Sequence, residues 1–215
     1  MLFFLALLFS YTGIAQTSTE QIESKKWSIA SHLVSQPYVF STKNGNPNLF
    51  TGVGVTRYFG LIGIRFNYCQ YDNNKSDSYY TDSGEYLNSS SLLKEHVFKL
   101  GIEYKKDYLD QLYLRLFLDY AFIPYSTEYN LNRKGSTLLH AEATGICNGA
   151  IAGIGIGWKF TEHFSVSGET RLDFLFSQQN QKVQNFETNS KVQYQVKGNT
   201  MNLRLIGNLS LNYHF

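Results

Sequence analysis

Residues 112–120 read Leu112-Tyr113-Leu114-Arg115-Leu116-Phe117-Leu118-Asp119-Tyr120. Leu112, Leu114, Leu116, Leu118 and Tyr120 occupy every second position, and Tyr113, Arg115, Phe117 and Asp119 fill the positions between. A period of two turns successive side chains to opposite faces of a β-strand. The end of the chain repeats the pattern. Leu203, Leu205, Gly207, Leu209, Leu211, Tyr213 and Phe215 share one face; Arg204, Ile206, Asn208, Ser210, Asn212 and His214 share the other. Similar strands are predicted near 27–36, 50–59, 61–71, 94–105, 148–160 and 163–176, which brings the number to eight.

The predicted connections fall into two classes that alternate along the chain. Those around 37–49, 72–93, 123–147 and 177–201 are long and rich in Asn, Ser, Gln, Thr and Lys; those around Gly60, Lys106–Asp110 and Thr161–Glu162 are short. An up-and-down antiparallel barrel with its long loops at one end produces this rhythm. The expected fold is therefore all-β: an eight-stranded antiparallel transmembrane β-barrel with short periplasmic turns and four long extracellular loops. Such a barrel pairs every strand edge, which hydrocarbon demands because it offers no hydrogen-bond partners.

Composition points the same way. Charged residues make up 17% of the chain and aromatics 16%, with only three prolines; soluble domains average roughly 25% charged. The formal net charge of +2 supplies no field for nucleic acid, which is not an expected partner. Met1–Phe9 is an apolar run, and Gly13 and Ala15 are the small residues of a signal-peptidase site. No Lys or Arg precedes the run, which leaves the start codon open. The expected division is a signal peptide over 1–15, a short periplasmic segment over 16–25 and the barrel over 26–215. No later run approaches the roughly 20 apolar residues of a membrane helix.

Alternation does not say which face is inside. A soluble barrel would bury the apolar set, and a membrane barrel inverts this. Aromatics near the predicted strand ends favour the membrane reading: Tyr58, Phe59, Tyr104, Tyr108, Trp158, Phe160, Phe164, Tyr213 and Phe215 map to one rim, where aromatic rings meet headgroups. Tyr68, Tyr71, Tyr120, Phe122 and Phe176 are available for the other. The charged positions then face the lumen. Arg65, Glu103 and Arg115 fall at similar heights, Lys99 and Asp119 form a second layer, and Glu169, Arg171, Asp173 and Arg204 lie on the last two strands. Mixed signs in a narrow lumen pair into a salt-bridge plug; contact with lumen water is the alternative. Gly149, Gly153, Gly155 and Gly157 share one face, which is expected to line the lumen and leave room there for bulky groups from other strands.

With these features the chain resembles the small outer-membrane β-barrel family, the OmpA/OmpX-like eight-stranded group, and within it the PorT-like barrel proteins of Bacteroidota. Two stretches carry the resemblance, Gly153-Ile-Gly-Ile-Gly157-Trp-Lys-Phe160-Thr-Glu-His-Phe164-Ser-Val and Leu209-Ser-Leu-Asn-Tyr213-His-Phe215. The resemblance implies that Leu209, Leu211, Tyr213 and Phe215 are an assembly signal presented to the barrel-assembly machinery. The family's usual glycine five residues before the end is Ser210 here.

Catalytic and metal signals are thin. His163 with Ser165 and Glu162 is the nearest local grouping, in a short turn; His32 beside Ser31 has no obvious acid. There is no His-x-x-x-His or Cys-x-x-Cys spacing. Cys69 and Cys147 lie on strands three and six, too far apart in the ring to favour a bridge. No cofactor, metal or catalytic residue is expected. The expected function is a non-enzymatic integral protein of the bacterial outer membrane, structural or binding partners through its loops. The alternatives are a narrow pore or small-ligand conduit, and a lipid A-modifying enzyme. Expected partners are outer-membrane lipid or lipopolysaccharide, the assembly machinery, and an extracellular or complex partner at the loops.

Overall fold

The computed structural model describes residues 27–35, 48–82, 84–134 and 136–215. The expected signal peptide, the segment 16–25 and the connection over 37–47 lie outside the described residues. Eight strands are described: β1 (Trp27–Ser35), β2 (Asn48–Phe59), β3 (Ile62–Tyr80), β4 (Tyr86–Asp107), β5 (Leu112–Arg133), β6 (Ser136–Lys159), β7 (Phe164–Asn185) and β8 (Ser190–His214). Each pairs antiparallel with its neighbour in sequence, and β8 returns to β1 through Ser28↔His214 to Ser35↔Asn208, so the sheet closes as a barrel. Trp27 and Phe215 seal the seam with reciprocal backbone hydrogen bonds of 2.8 and 3.0 Å.

The short turns fall where the sequence places them, after Phe59, Asp107 and Lys159. The long connections do not. Described residues of the expected loops 72–93, 123–147 and 177–201 continue as paired strand, and β3, β5 and β7 end only at Tyr80, Arg133 and Asn185. From Phe122 to Arg133, β5 adds about 35 Å of strand at about 3.3 Å per residue. Polarity misleads here because a β-ladder needs only backbone pairing. Side chains such as Ser76 and Asn88, which hydrogen-bond across β3 and β4 at 3.2 Å, suit two solvated faces as well as a loop.

Among the described residues the projecting sheet is open at its β8 edge. β8 pairs with β7 along its length but meets β1 only from Asn208 onward. Its edge from Ser190 to Leu203 therefore carries no strand partner among the described residues. β8 is also interrupted. Glu169↔Asn208 and Arg171↔Arg204 are paired positions, so residues 205–207 bulge against the single residue Thr170. Gly207 and Asn208 are both buried, which corrects the expectation that Gly207 shares the outer face with Leu209 and Leu211. A Cβ on Gly207 would meet Arg171 Cδ at 3.0 Å, so the bulge makes room for that guanidinium group.

Candidate functional site in the lumen

Burial alternates along each strand with the polar set inside. Arg65 and Glu103 are 2% exposed, whereas Leu100 and Phe176 are 59% exposed. The exposed set forms a belt: Ile62, Ile64 and Phe66 on β3, Phe98, Leu100 and Ile102 on β4, Leu118, Tyr120 and Phe122 on β5, and Ile154, Ile156 and Trp158 on β6. On β7 the belt runs from Phe164 to Phe176 and gives way to Gln178 and Asn180. That height is close to the roughly 9–11 residues of tilted strand that cross a hydrocarbon core.

All nine expected lumen charges, Arg65, Lys99, Glu103, Arg115, Asp119, Glu169, Arg171, Asp173 and Arg204, are buried. Two clusters hold the ion pairs. In the lower, Arg65 lies 3.1 Å from Glu103, 3.2 Å from Asp119 and 3.4 Å from Glu169; Arg115 lies 3.1 Å from Glu169 and 3.7 Å from Glu103. Arg65 also stacks on the Phe117 ring at 4.4 Å. In the upper, Asp173 accepts from Arg204 at 2.8 Å and lies 3.2 Å from Arg171. Lys99 is buried with them.

Glu95 joins this set, fully buried, and was not singled out in the sequence. Its signal is its phase, since residues 95, 99 and 103 share one face of β4. With Glu95 the buried charges among the described residues are five cations and five carboxylates, so their formal charges balance.

Room for these groups comes from the facing strand. A Cβ at Gly157 would stand 2.0 Å from the Tyr113 ring, at Gly153 2.3 Å from the Phe117 ring, and at Gly155 3.2 Å from Arg115 Nε. The glycines of β6 therefore accommodate two aromatic rings and one charged side chain from β5.

The remaining lumen is filled in two further layers. Level with the ion clusters, His32 bonds Ser210 at 2.9 Å, Asn208 at 2.7 Å and Asn67 at 3.2 Å. Below them Ser165 Oγ meets His214 Nε2 at 2.8 Å and Tyr113 at 2.9 Å. Toward the projecting end, Cys69, Tyr71, Val97, Ile123, Cys147 and Leu175 belong to one buried apolar cluster. Both cysteines are unbonded.

Two aromatic positions differ from expectation. Tyr58 is buried in the lumen, donating its hydroxyl to Glu103, and Tyr71 is buried in the apolar cluster. Neither belongs to a rim. A one-residue difference in phase separates Tyr58 from the exposed Phe59, and strand-end position alone does not record it. The other lower-rim aromatics are outward or partly exposed. Phe160, Phe164, Tyr213 and Phe215 form a chain of contacts at 6.2, 5.0 and 5.7 Å, and Arg57 lies over Trp27 and Phe59. Of the expected assembly residues, Leu211, Tyr213 and Phe215 are exposed and Leu209 is half-buried beside them.

The Ser165–His214 contact pairs a hydroxyl with an imidazole distant in sequence, whereas proximity along the chain sets Ser165 beside His163. Both side chains are buried, Ser165 completely, so a substrate would reach the hydroxyl only if the lumen opened. Among the described residues no cluster of three His, Cys, Asp or Glu is arranged to hold a metal. No protein-family model and no curated protein matches the chain.

Proposed function

We propose that the protein is an integral outer-membrane β-barrel that is closed to solutes and presents a binding surface outside the cell. The inverted burial carries this reading: among the described residues ten charged side chains lie inside the ring and a predominantly apolar belt lies outside it. In water the belt would be a liability far larger than the few hundred Å² of apolar patch that soluble monomers expose. Against lipid it is the favourable face, and the closed ladder leaves no unpaired edge at that depth. The aromatic contacts at the short-turn end fit the headgroup level, with the termini periplasmic.

The filled lumen supports a plug over a conduit, since ion clusters, a polar layer and an apolar layer follow one another along its axis. The projecting hairpins and the open edge of β8 support partner binding. An edge of this kind offers unpaired N–H and C=O groups to an incoming strand. Export through a signal peptide and delivery by the assembly machinery, with Leu209, Leu211, Tyr213 and Phe215 as its signal, belong to the same reading.

Expression of the full chain with its leader, followed by fractionation and gels of boiled and unboiled samples, tests it. Heat-modifiable migration from the outer-membrane fraction is expected. Recovery from the soluble periplasm without heat modification would contradict it.

A further inference from the structure

At the upper border of the apolar belt, the outer faces of β6, β7 and β8 line an open depression of about 610 Å³, within the roughly 300–1,000 Å³ of small-molecule sites. Pairing across the strands orders its walls in rows. The lowest row is Asn148–Phe176–Asn199, and the next is Ile146–Gln178–Lys197. Asn180 lies on the row above. Phe176 and Ile146 continue the belt upward, while four carboxamides and one ammonium group interleave with them. No carboxylate lines the depression.

A furrow leads down from it. Ala150 and Ala152 lie directly below Asn148 on the outer face of β6. Tyr120 and Leu118 of β5 stand beside them on one side, and Phe174 and Leu172 of β7 on the other. Two small side chains between two pairs of large ones make a channel the width of one strand, within the belt and apolar apart from the Tyr120 hydroxyl.

Resting on the membrane reading above, we propose that this depression and furrow bind a phosphorylated glycolipid of the outer leaflet. The sugar headgroup lies among Asn148, Gln178, Asn180 and Asn199, its phosphate on Lys197, and an acyl chain along Ala150 and Ala152. A carboxamide both donates and accepts, which suits an array of ring hydroxyls. A glycerophospholipid phosphodiester would engage Lys197 and leave most of the carboxamides without a ligand group. The match of amphiphile to site is positional as well: polar rows begin where the belt ends, as the headgroup does above the acyl chains.

The test is native mass spectrometry of the purified full chain. It is offered equimolar diphosphorylated, acylated glucosamine disaccharide and phosphatidylglycerol, with heat-modifiable migration checked on every sample. Preferential retention of the glycolipid by about tenfold is expected. Lys197→Gln should reduce retention by about tenfold, the scale of one charge-assisted hydrogen bond. Ala152→Phe, which fills the furrow without touching the headgroup rows, should reduce it separately. Equal retention of phosphatidylglycerol, or unchanged glycolipid retention by both variants while all remain heat-modifiable, would overturn the site and leave the barrel standing. A wild-type chain with no heat-modifiable form would overturn both.

Discussion

At the residue scale, Glu103 concentrates the most interactions: it accepts from Tyr58 and lies within ionic distance of both Arg65 and Arg115. Its removal leaves two buried guanidinium groups undercompensated. Breaking a buried pair from one side costs on the order of 3–5 kcal/mol. Glu103→Ala should therefore lower the urea midpoint of unfolding in detergent markedly, and an unchanged midpoint would take Glu103 out of the network. Gly157→Ala probes the same packing from the opposite strand. A methyl group placed 2.0 Å from the Tyr113 ring must push it aside, and overpacking of this kind costs about 1–3 kcal/mol. A loss of stability at Gly157 with little effect at Gly168, where a Cβ would meet nothing, is the expected contrast.

At the element scale, the barrel strands were legible from Leu112–Tyr120 and its counterparts because strands with a charged inner face and an apolar outer face must alternate. The nine charges assigned to the lumen follow from the same phase. The limits were equally physical. Above the belt both faces of a strand meet water, so the alternation fades and paired residues such as Asn180 and Gln195 look like loop. The bulge at residues 205–207 preserves the overall phase of β8, leaving Arg204 and Asn208 inward, so no break in the pattern announced it. The hairpins beyond the belt should be separable from the ring. Replacing residues 181–194 with Asn-Gly, which favours a two-residue hairpin turn, is expected to leave heat modification and the unfolding midpoint essentially unchanged. Loss of the folded form would show that the ring depends on the projecting sheet.

At the scale of the whole molecule, the five cations and five carboxylates buried among the described residues are the basis for proposing a plug and not a pore. Planar-bilayer recordings of the purified chain should show no steady single-channel conductance; regular open steps would favour a conduit and require the lumen layers to part. The orientation of the two faces is the claim on which everything else depends. It is reached most directly by a single tryptophan at Ile102→Trp, in the middle of the belt on β4, with Trp27 and Trp158 replaced by Phe, in liposomes carrying brominated lipids. Strongest quenching by bromines deep in the acyl chains, with little quenching by aqueous iodide, is the expected result. Quenching by iodide with no response to any brominated lipid would place the apolar belt in water and contradict a membrane-spanning barrel.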